Sequence, residues 1–397
     1  MAWIRKRPGR AKPYEARWRD PDGRERSRSF DRKLDAQRFL ATVEADKLRG
    51  SYIDPNAGKV TLQAFAESWL ATQTTDPATV EAMASRLRVH VYPHLGSYEL
   101  RAIRPSVLQG WLAQLQATLA PTYVRVILAN VSAILGAAVE DGMLAKNPAS
   151  SKAVRAPRLD AAQILPWSTE QVEQVTAAHP PRYQAVPMMA AGCGLRQGEV
   201  FGLAVEDVDF LGRWVLVRQQ VKLLKGKPVL APPKGGKSRE VPLPEVVAFA
   251  LAEHLRRYPP VEVTLPWRTL EGKTRTMPLV FTTRERGPLV RRHYNVNIWK
   301  RALKEAGVEP TRANGMHALR HYYASVLLED GVTVRALADY LGHVDPGFTL
   351  RVSAHLMPAA EGRARAAIDA ALGSSASQMR AKATDEAQKP WSEAPEH

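Results

Sequence analysis

The chain has 397 residues, enough for two or three domains each with its own core, and a formal net charge of +16 that points to a polyanionic partner. Cys193 is the only cysteine, which excludes a disulfide framework and a cysteine-based zinc site; within its apolar run it reads as a buried small residue. No apolar run reaches the roughly 18–20 residues of a membrane span, and the first residues lack a signal-peptide core, so the chain reads as cytoplasmic, with nucleic acid the leading partner and no membrane.

Residues 1–56 form a small domain. Trp3–Arg7, Tyr14–Trp18 and Arg26–Phe30 are short strand-like segments separated by Pro8-Gly9 and by Asp20-Pro21-Asp22-Gly23, and a helix is predicted over Lys33–Leu48. Through Gly50 there are fifteen Lys/Arg against eight Asp/Glu, with Trp3, Tyr14 and Trp18 interleaved. A three-stranded sheet backed by a helix, with Arg5, Lys6, Arg7 and Arg17 on strands, suits a DNA groove; a solvated basic face gives the same composition.

Residues 60–149 read as all-helical. Thr61 caps a helix through Leu70, Asp76-Pro77 opens one to about Val91, Arg104-Pro105 one to about Leu119, and Pro121 one to about Asp141. Arg86, Arg88, His90 and His94 cluster at a helix end, a place suited to phosphate. Residues 150–164 lose periodicity and read as a basic linker.

From Leu165 a mainly helical domain with a small antiparallel sheet is predicted. Ser168 or Thr169 caps a helix to about Ala178, and a second runs from Tyr183 to Ala191. Strands follow at Trp214–Gln220, Val229–Ala231 and Arg239–Leu243, then a helix over Pro244–Tyr258. Residues 259–278 read as irregular or extended, with no role assigned to Trp267 or Lys273. Helices resume at Arg291–Ala306, where Arg291 and Arg292 are candidate phosphate contacts. Ala360–Leu372 carries an apolar helical stripe, and 373–397 is polar and reads as disordered. The fold class is therefore mixed α+β and multidomain.

The chemistry concentrates in His317-Ala-Leu-Arg320-His321, at the start of a helix that Gly331 stops, followed by a short helix from Thr333 to Leu341 and then Gly342-His343. His317 and Arg320, at i and i+3, share a face. Two imidazoles and a guanidinium suit a phosphate ester, because Arg neutralises two oxygens at once and His exchanges a proton near neutrality. A surface His–Arg pair would give the same short pattern.

The pattern does not stand alone. His317-x-Leu-Arg320-His321, Leu341-Gly342-His343, Gly194-Leu-Arg196-Gln-Gly-Glu199 and Lys234 in Pro-Pro-Lys234-Gly-Gly-Lys237-Ser-Arg239 together resemble the motifs of the tyrosine recombinases, the phage integrase family, in order and spacing. The resemblance is strongest over 165–372. It implies that 1–56 is an arm-site DNA-binding domain, 60–149 a core-binding domain and 165–372 the catalytic domain. It further implies that Arg196 and Arg320 clamp the scissile phosphate, that Lys234 (or Lys237) is the general acid, that His317 accepts a proton or binds phosphate, that His343 hydrogen-bonds a phosphate oxygen, and that Glu199 is a support. Lys237 and Arg239 are further candidate DNA contacts. The implied partners are double-stranded DNA, a homotetramer on that DNA, and an excisionase or DNA-bending accessory protein; no cofactor and no metal are implied, and the setting would be a bacterial nucleoid.

One position departs. The family's nucleophilic Tyr lies ten residues after the histidine of Leu-Gly-His, and Ser353 stands there. A Ser hydroxyl is several ångströms shorter in reach than a phenol and far less acidic than its pKa of about 10. The resemblance therefore implies DNA binding without cleavage. The alternatives are an inactive DNA-binding regulatory or architectural protein derived from a recombinase, a topoisomerase-like or resolvase-like strand transferase, and Tyr340 as a substitute nucleophile.

Overall fold

A computed structural model describes residues 2–20, 23–49, 52, 57–159 and 165–342. The chain divides into two compact units at 161/162.

The first unit opens with the expected three strands, β1 (Trp3–Lys6), β2 (Tyr14–Arg19) and β3 (Glu25–Phe30), antiparallel in that order, followed by α1 (Lys33–Leu48). Ala16 and Trp18 of β2 pack on Ala36, Leu40 and Val43 of α1. The register separates the basic residues that the sequence grouped. Arg5 lies opposite Glu15, whereas Lys6 lies opposite Tyr14, a residue packed on the helix-side core.

The helices of 60–149 form a bundle: α2 (Leu62–Ala71), α3 (Pro77–Arg86), α4 (Tyr92–Leu95), α5 (Pro105–Gln116) and α6 (Pro121–Glu140). Thr61 accepts from the Ala64 N–H at 3.3 Å and Asp76 from the Ala78 N–H at 2.9 Å, so both predicted caps are in place. Between α3 and α4 the turn Leu87–Val91 is π-helical. Pro93 offers no N–H and its ring crowds the preceding turn, which the wider coil accommodates. Helix α6 is long and apolar enough to cross a membrane by length and composition, which corrects the reading that no run reaches that size. Its positions Val124, Ile127, Val131, Ile134 and Leu135 are buried in the bundle core.

The second unit is built around α8 (Ala185–Cys193). Helix α7 (Thr169–Ala177) starts at Ser168 with a reciprocal capping box to Gln171, and α9 (Gln197–Phe201) follows α8. Strand β5 (Trp214–Val217) lies between β4 (Val208–Asp209) and β8 (Arg239–Pro242), and β6 (Gln220–Leu224) pairs with β7 (Lys227–Ala231). The predicted strand 214–220 is thus two strands in different sheets. They part at Gln219, which is buried and donates to the Gly202 carbonyl at 2.9 Å. Helix α10 (Glu245–Arg257) precedes an antiparallel hairpin, β9 (Val261–Pro266) and β10 (Thr274–Leu279), in the stretch that reads as irregular or extended. Then come α11 (Arg291–Tyr294), a π-helical turn, α12 (Lys300–Glu305), α13 (His317–Glu329) and α14 (Val334–Leu341).

Two histidines sit inside this core. Burial holds His179 down at about 4, against a hydrogen bond from its Nδ1 to the Val175 carbonyl, and burial also lowers His254. With folded values below the unfolded 6.5, the unfolded chain binds more protons in between. Stability from neutral His179 is therefore complete above about pH 6.5 and is lost as pH falls toward 4, up to about 3 kcal/mol. Urea unfolding at pH 7 and pH 4.5 checks this: His179→Phe should flatten the acid side of the profile.

Candidate active site

The motif residues converge because three chain segments meet at the end of α8. Gly194 closes α8 in the left-handed conformation (φ 62°), and a Cβ there would come within 2.5 Å of the Tyr323 ring on α13. That close approach lets Arg320 of α13, itself buried, donate from Nη1 to the Gly194 carbonyl at 2.6 Å. Its Nη2 donates to the Leu341 carbonyl at the end of α14. Gly342, left-handed at φ 63°, ends α14 as expected, and Thr333 caps its start. One guanidinium therefore ties the Gly-Leu-Arg turn to the Leu341-Gly342 end of α14.

Arg196 is the N-cap residue of α9. Its backbone N–H donates to Glu199 Oε2 at 2.9 Å and its Nη1 to Glu199 Oε1 at 2.9 Å. Arg239 grips the same carboxylate from the other side, Nη2 to Oε2 at 2.7 Å and Nη1 to Oε1 at 3.1 Å, while its Nε donates to the Tyr340 carbonyl at 2.6 Å. Arg239 was expected to contact DNA. Its side chain is 8% exposed and turned toward Glu199, a planar fork matched to one carboxylate. The sequence carried no signal for this, because the partner is 40 residues away.

The electrostatics follow from the packing. Burial works to raise the Glu199 carboxyl and is outweighed by the hydrogen bonds and charge of Arg239 and then Arg196, which hold it down at about 2. Burial, and then the charge of Arg196, lowers Arg320 to about 9, still charged at neutral pH. His317 is exposed on one side and stacks edge-on against His321 at 4.7 Å. Desolvation first, then the positive charges of His321, Arg320, Arg196 and Lys234, hold it below its ordinary value, so its imidazole is neutral at neutral pH. Cys193, just before Gly194, is buried, which pushes its thiol up to about 12; it is inert packing, as read from the sequence.

Lys234 and Lys237 are both exposed on the loop between β7 and β8, where Gly235 and Gly236 are left-handed. The charge of Lys234 is among those that act on His317. Arg196, Glu199, Lys234, His317 and Arg320 are thus brought together. His343 and Ser353 lie outside the described residues, as do the stripe 360–372 and the tail. Tyr340 is half-buried and packed against the core, with its carbonyl engaged by Arg239.

The candidate DNA contacts divide. Arg5, Lys6, Arg88, Arg291 and Arg292 are exposed. Arg7 pairs with Glu15 at 2.9 Å, and Arg17 pairs with Glu15 at 3.2 Å and Glu25 at 2.7 Å. Arg86 is half-buried and donates to Asn130 Oδ1 at 2.8 Å, inside its own bundle. Among the described residues no group of three or more His, Cys, Asp or Glu is arranged to hold a metal.

The chain is similar to known integrases and tyrosine recombinases. Residues 167–358 match the phage integrase family, and residues 62–153 match the phage integrase central domain. A XerC-like tyrosine recombinase of Caldanaerobacter subterraneus is 32% identical over 238 residues, 56% of this chain and 59% of that protein. The prophage phiRv2 integrase of Mycobacterium tuberculosis is 27% identical over 362 residues, 89% of this chain and 90% of that protein. In structure, a fragment of the Tn1549 transposon integrase, solved in complex with a circular intermediate DNA, superposes with a TM-score of 0.64 at 19% identity, covering 74% of this chain and 95% of that one. With two successive stretches matched and the fold shared, the chain belongs to the phage integrase family, the tyrosine recombinases.

Proposed function

We propose that this chain is the scaffold of a site-specific DNA recombinase that integrates or excises a phage or mobile element, with its cleavage step blocked at Ser353. The observation that carries the reading is the charge at the site. Arg196, Arg239 and Arg320 gather around a single carboxylate, Glu199, and the charge of Lys234 acts with theirs on a neutral His317. Such a surplus of fixed positive charge suits a phosphodiester, and a neutral imidazole can accept a proton.

In the full reaction a tyrosyl oxygen bonds phosphorus, the P–O5′ bond breaks and a 3′-phosphotyrosyl link forms. Arg196 and Arg320 stabilise the non-bridging oxygens, and Lys234 gives its proton to the 5′-oxygen. His317 receives the proton of the nucleophile, and His343 hydrogen-bonds a phosphate oxygen. Exchange of strands between two duplexes then passes through a Holliday junction, and resealing needs no ATP because the ester retains the bond energy. Residues 1–56, 60–149 and 165–372 are the arm-binding, core-binding and catalytic domains of a protomer that works as a homotetramer on DNA, with an excisionase or DNA-bending protein as accessory. Ser353 supports a second reading, a regulatory or architectural DNA-binding protein that keeps the phosphate site for affinity.

Both readings require duplex binding, which selection from a pool of random duplexes tests directly. A recovered consensus and a steep loss of affinity with salt, a log–log slope of about −5 or steeper, are expected. Weak binding with neither would sink both.

A further inference from the structure

We propose that the tip of the β9–β10 hairpin holds the Lys234 loop in place, and that Trp267 is a positioning residue for the proton donor. The proposal rests on the reading of Lys234 as that donor. Lys234 sits on a loop that is soft in its middle: Gly235 and Gly236 are both left-handed, and only the Gly236 N–H closes a turn, onto the Pro233 carbonyl at 2.9 Å. Its position therefore depends on its two roots. The C-terminal root is Arg239, locked onto Glu199 and Tyr340. The N-terminal root is the end of β7.

Strand β7 is held on both edges. On one, Gln220 of β6 pairs with Ala231, and its side chain donates to the Pro232 carbonyl at 2.7 Å. On the other, Trp267 forms a parallel bridge with Leu230, and the Arg268 N–H donates to the Leu230 carbonyl at 2.7 Å. Arg268 adopts φ 68° to do so, a conformation that costs a non-glycine residue free energy and persists where its surroundings impose it. The surroundings are closely packed. The Arg275 guanidinium lies 3.6 Å from the centre of the Trp267 ring, the Trp267 N–H donates to the Lys273 carbonyl at 3.1 Å, and a Cβ at Gly272 would stand 2.1 Å from the Trp267 carbonyl.

Between the tip and the loop lies a cavity of 350 Å³, with Pro232, Gly236 and Ser238 of the loop facing Trp267, Arg275 and Met277. The cavity leaves the middle of the loop room to move while its root stays fixed. Without the Trp267 ring the stacking on Arg275 that fixes the tip is lost, the main-chain bridge to Leu230 is held less firmly, and the Lys234 ammonium spreads over more positions.

Two measurements decide it. Trypsin scission of the chain after Lys234 and Lys237 should rise on the order of tenfold in Trp267→Ala, with Trp267→Phe close to the unchanged chain. Unchanged scission in Trp267→Ala overturns the proposal. Labelling of buried Cys193 monitors folding, and if Trp267→Ala unfolds, Arg275→Ala takes its place with the same criterion. The second measurement uses the Ser353→Tyr chain and a duplex with sulfur in place of the bridging 5′-oxygen. A thiolate leaves without a proton, so a deficit of about tenfold caused by Trp267→Ala on the oxygen duplex should shrink to less than about twofold on the sulfur duplex. Equal deficits on both mean a merely structural role. If Ser353→Tyr with Trp267 intact forms no adduct on either duplex, the recombinase reading fails, and trypsin scission alone decides the role of Trp267.

Discussion

Replacing Glu199 by Ala should weaken the catalytic unit by about 3–5 kcal/mol. The carboxylate is 1% exposed, and it is the anion common to Arg196 and Arg239. Removing it leaves two guanidiniums facing each other beside Arg320, with no counter-charge and little water to screen them. Glu199→Gln keeps the volume and one acceptor, so it should fall between. The readout is already in the chain: Cys193 is its only cysteine, and it is buried beside the site. Its labelling rate reports opening of this unit, and Glu199→Ala should raise it by roughly 10²-fold to several thousandfold. A change below tenfold would mean that the Arg196–Glu199–Arg239 cluster does not hold the site together. The linkage has a definite sign. Because the Glu199 carboxyl is held below its ordinary value, its contribution is present above about pH 4.5 and lost as pH falls through about 2.

The larger effect is a gain. The arrangement of Arg196, Arg320 and neutral His317 is complete without position 353, so restoring a phenol there should restore cleavage. A phenol reaches further than a Ser hydroxyl and ionises far more readily. The expected result is adduct from Ser353→Tyr and none from the Ser353 chain. Adding Arg320→Ala to Ser353→Tyr should cost at least about 10²-fold in adduct rate, the usual loss when one preorganised donor to a developing charge is removed. It should also loosen the Leu341 turn, because the same guanidinium donates to the Leu341 and Gly194 carbonyls.

What was legible in the sequence was local chemistry. Thr61, Asp76 and Ser168 cap helices because their side-chain oxygens reach the next turn's N–H groups, a rule that needs only neighbouring residues. Gly342 ends α14 in the conformation that glycine adopts most easily. The β9–β10 hairpin was not legible, because Pro266 and Pro278 lie within its strands and its tip depends on Arg268 in a left-handed conformation that sequence patterns disfavour. Nor was the inward turn of Arg239. On a strand beside two exposed lysines it reads as one more basic residue, and only the fold brings Glu199 and the Tyr340 carbonyl to it. The basic strands of 1–56 were legible as strands, but not the register that sets Lys6 on the side of Tyr14.

The most direct test uses a nicked suicide duplex carrying the selected core site, incubated with the Ser353 chain, Ser353→Tyr and Ser353→Tyr/Arg320→Ala, and read on a denaturing gel as covalent protein–DNA adduct. Adduct with Ser353→Tyr alone, strongly reduced by Arg320→Ala, is the predicted result. Adduct with the Ser353 chain would place the nucleophile elsewhere. Binding by all three with adduct from none would contradict the recombinase account and leave a DNA-binding protein that has lost its chemistry.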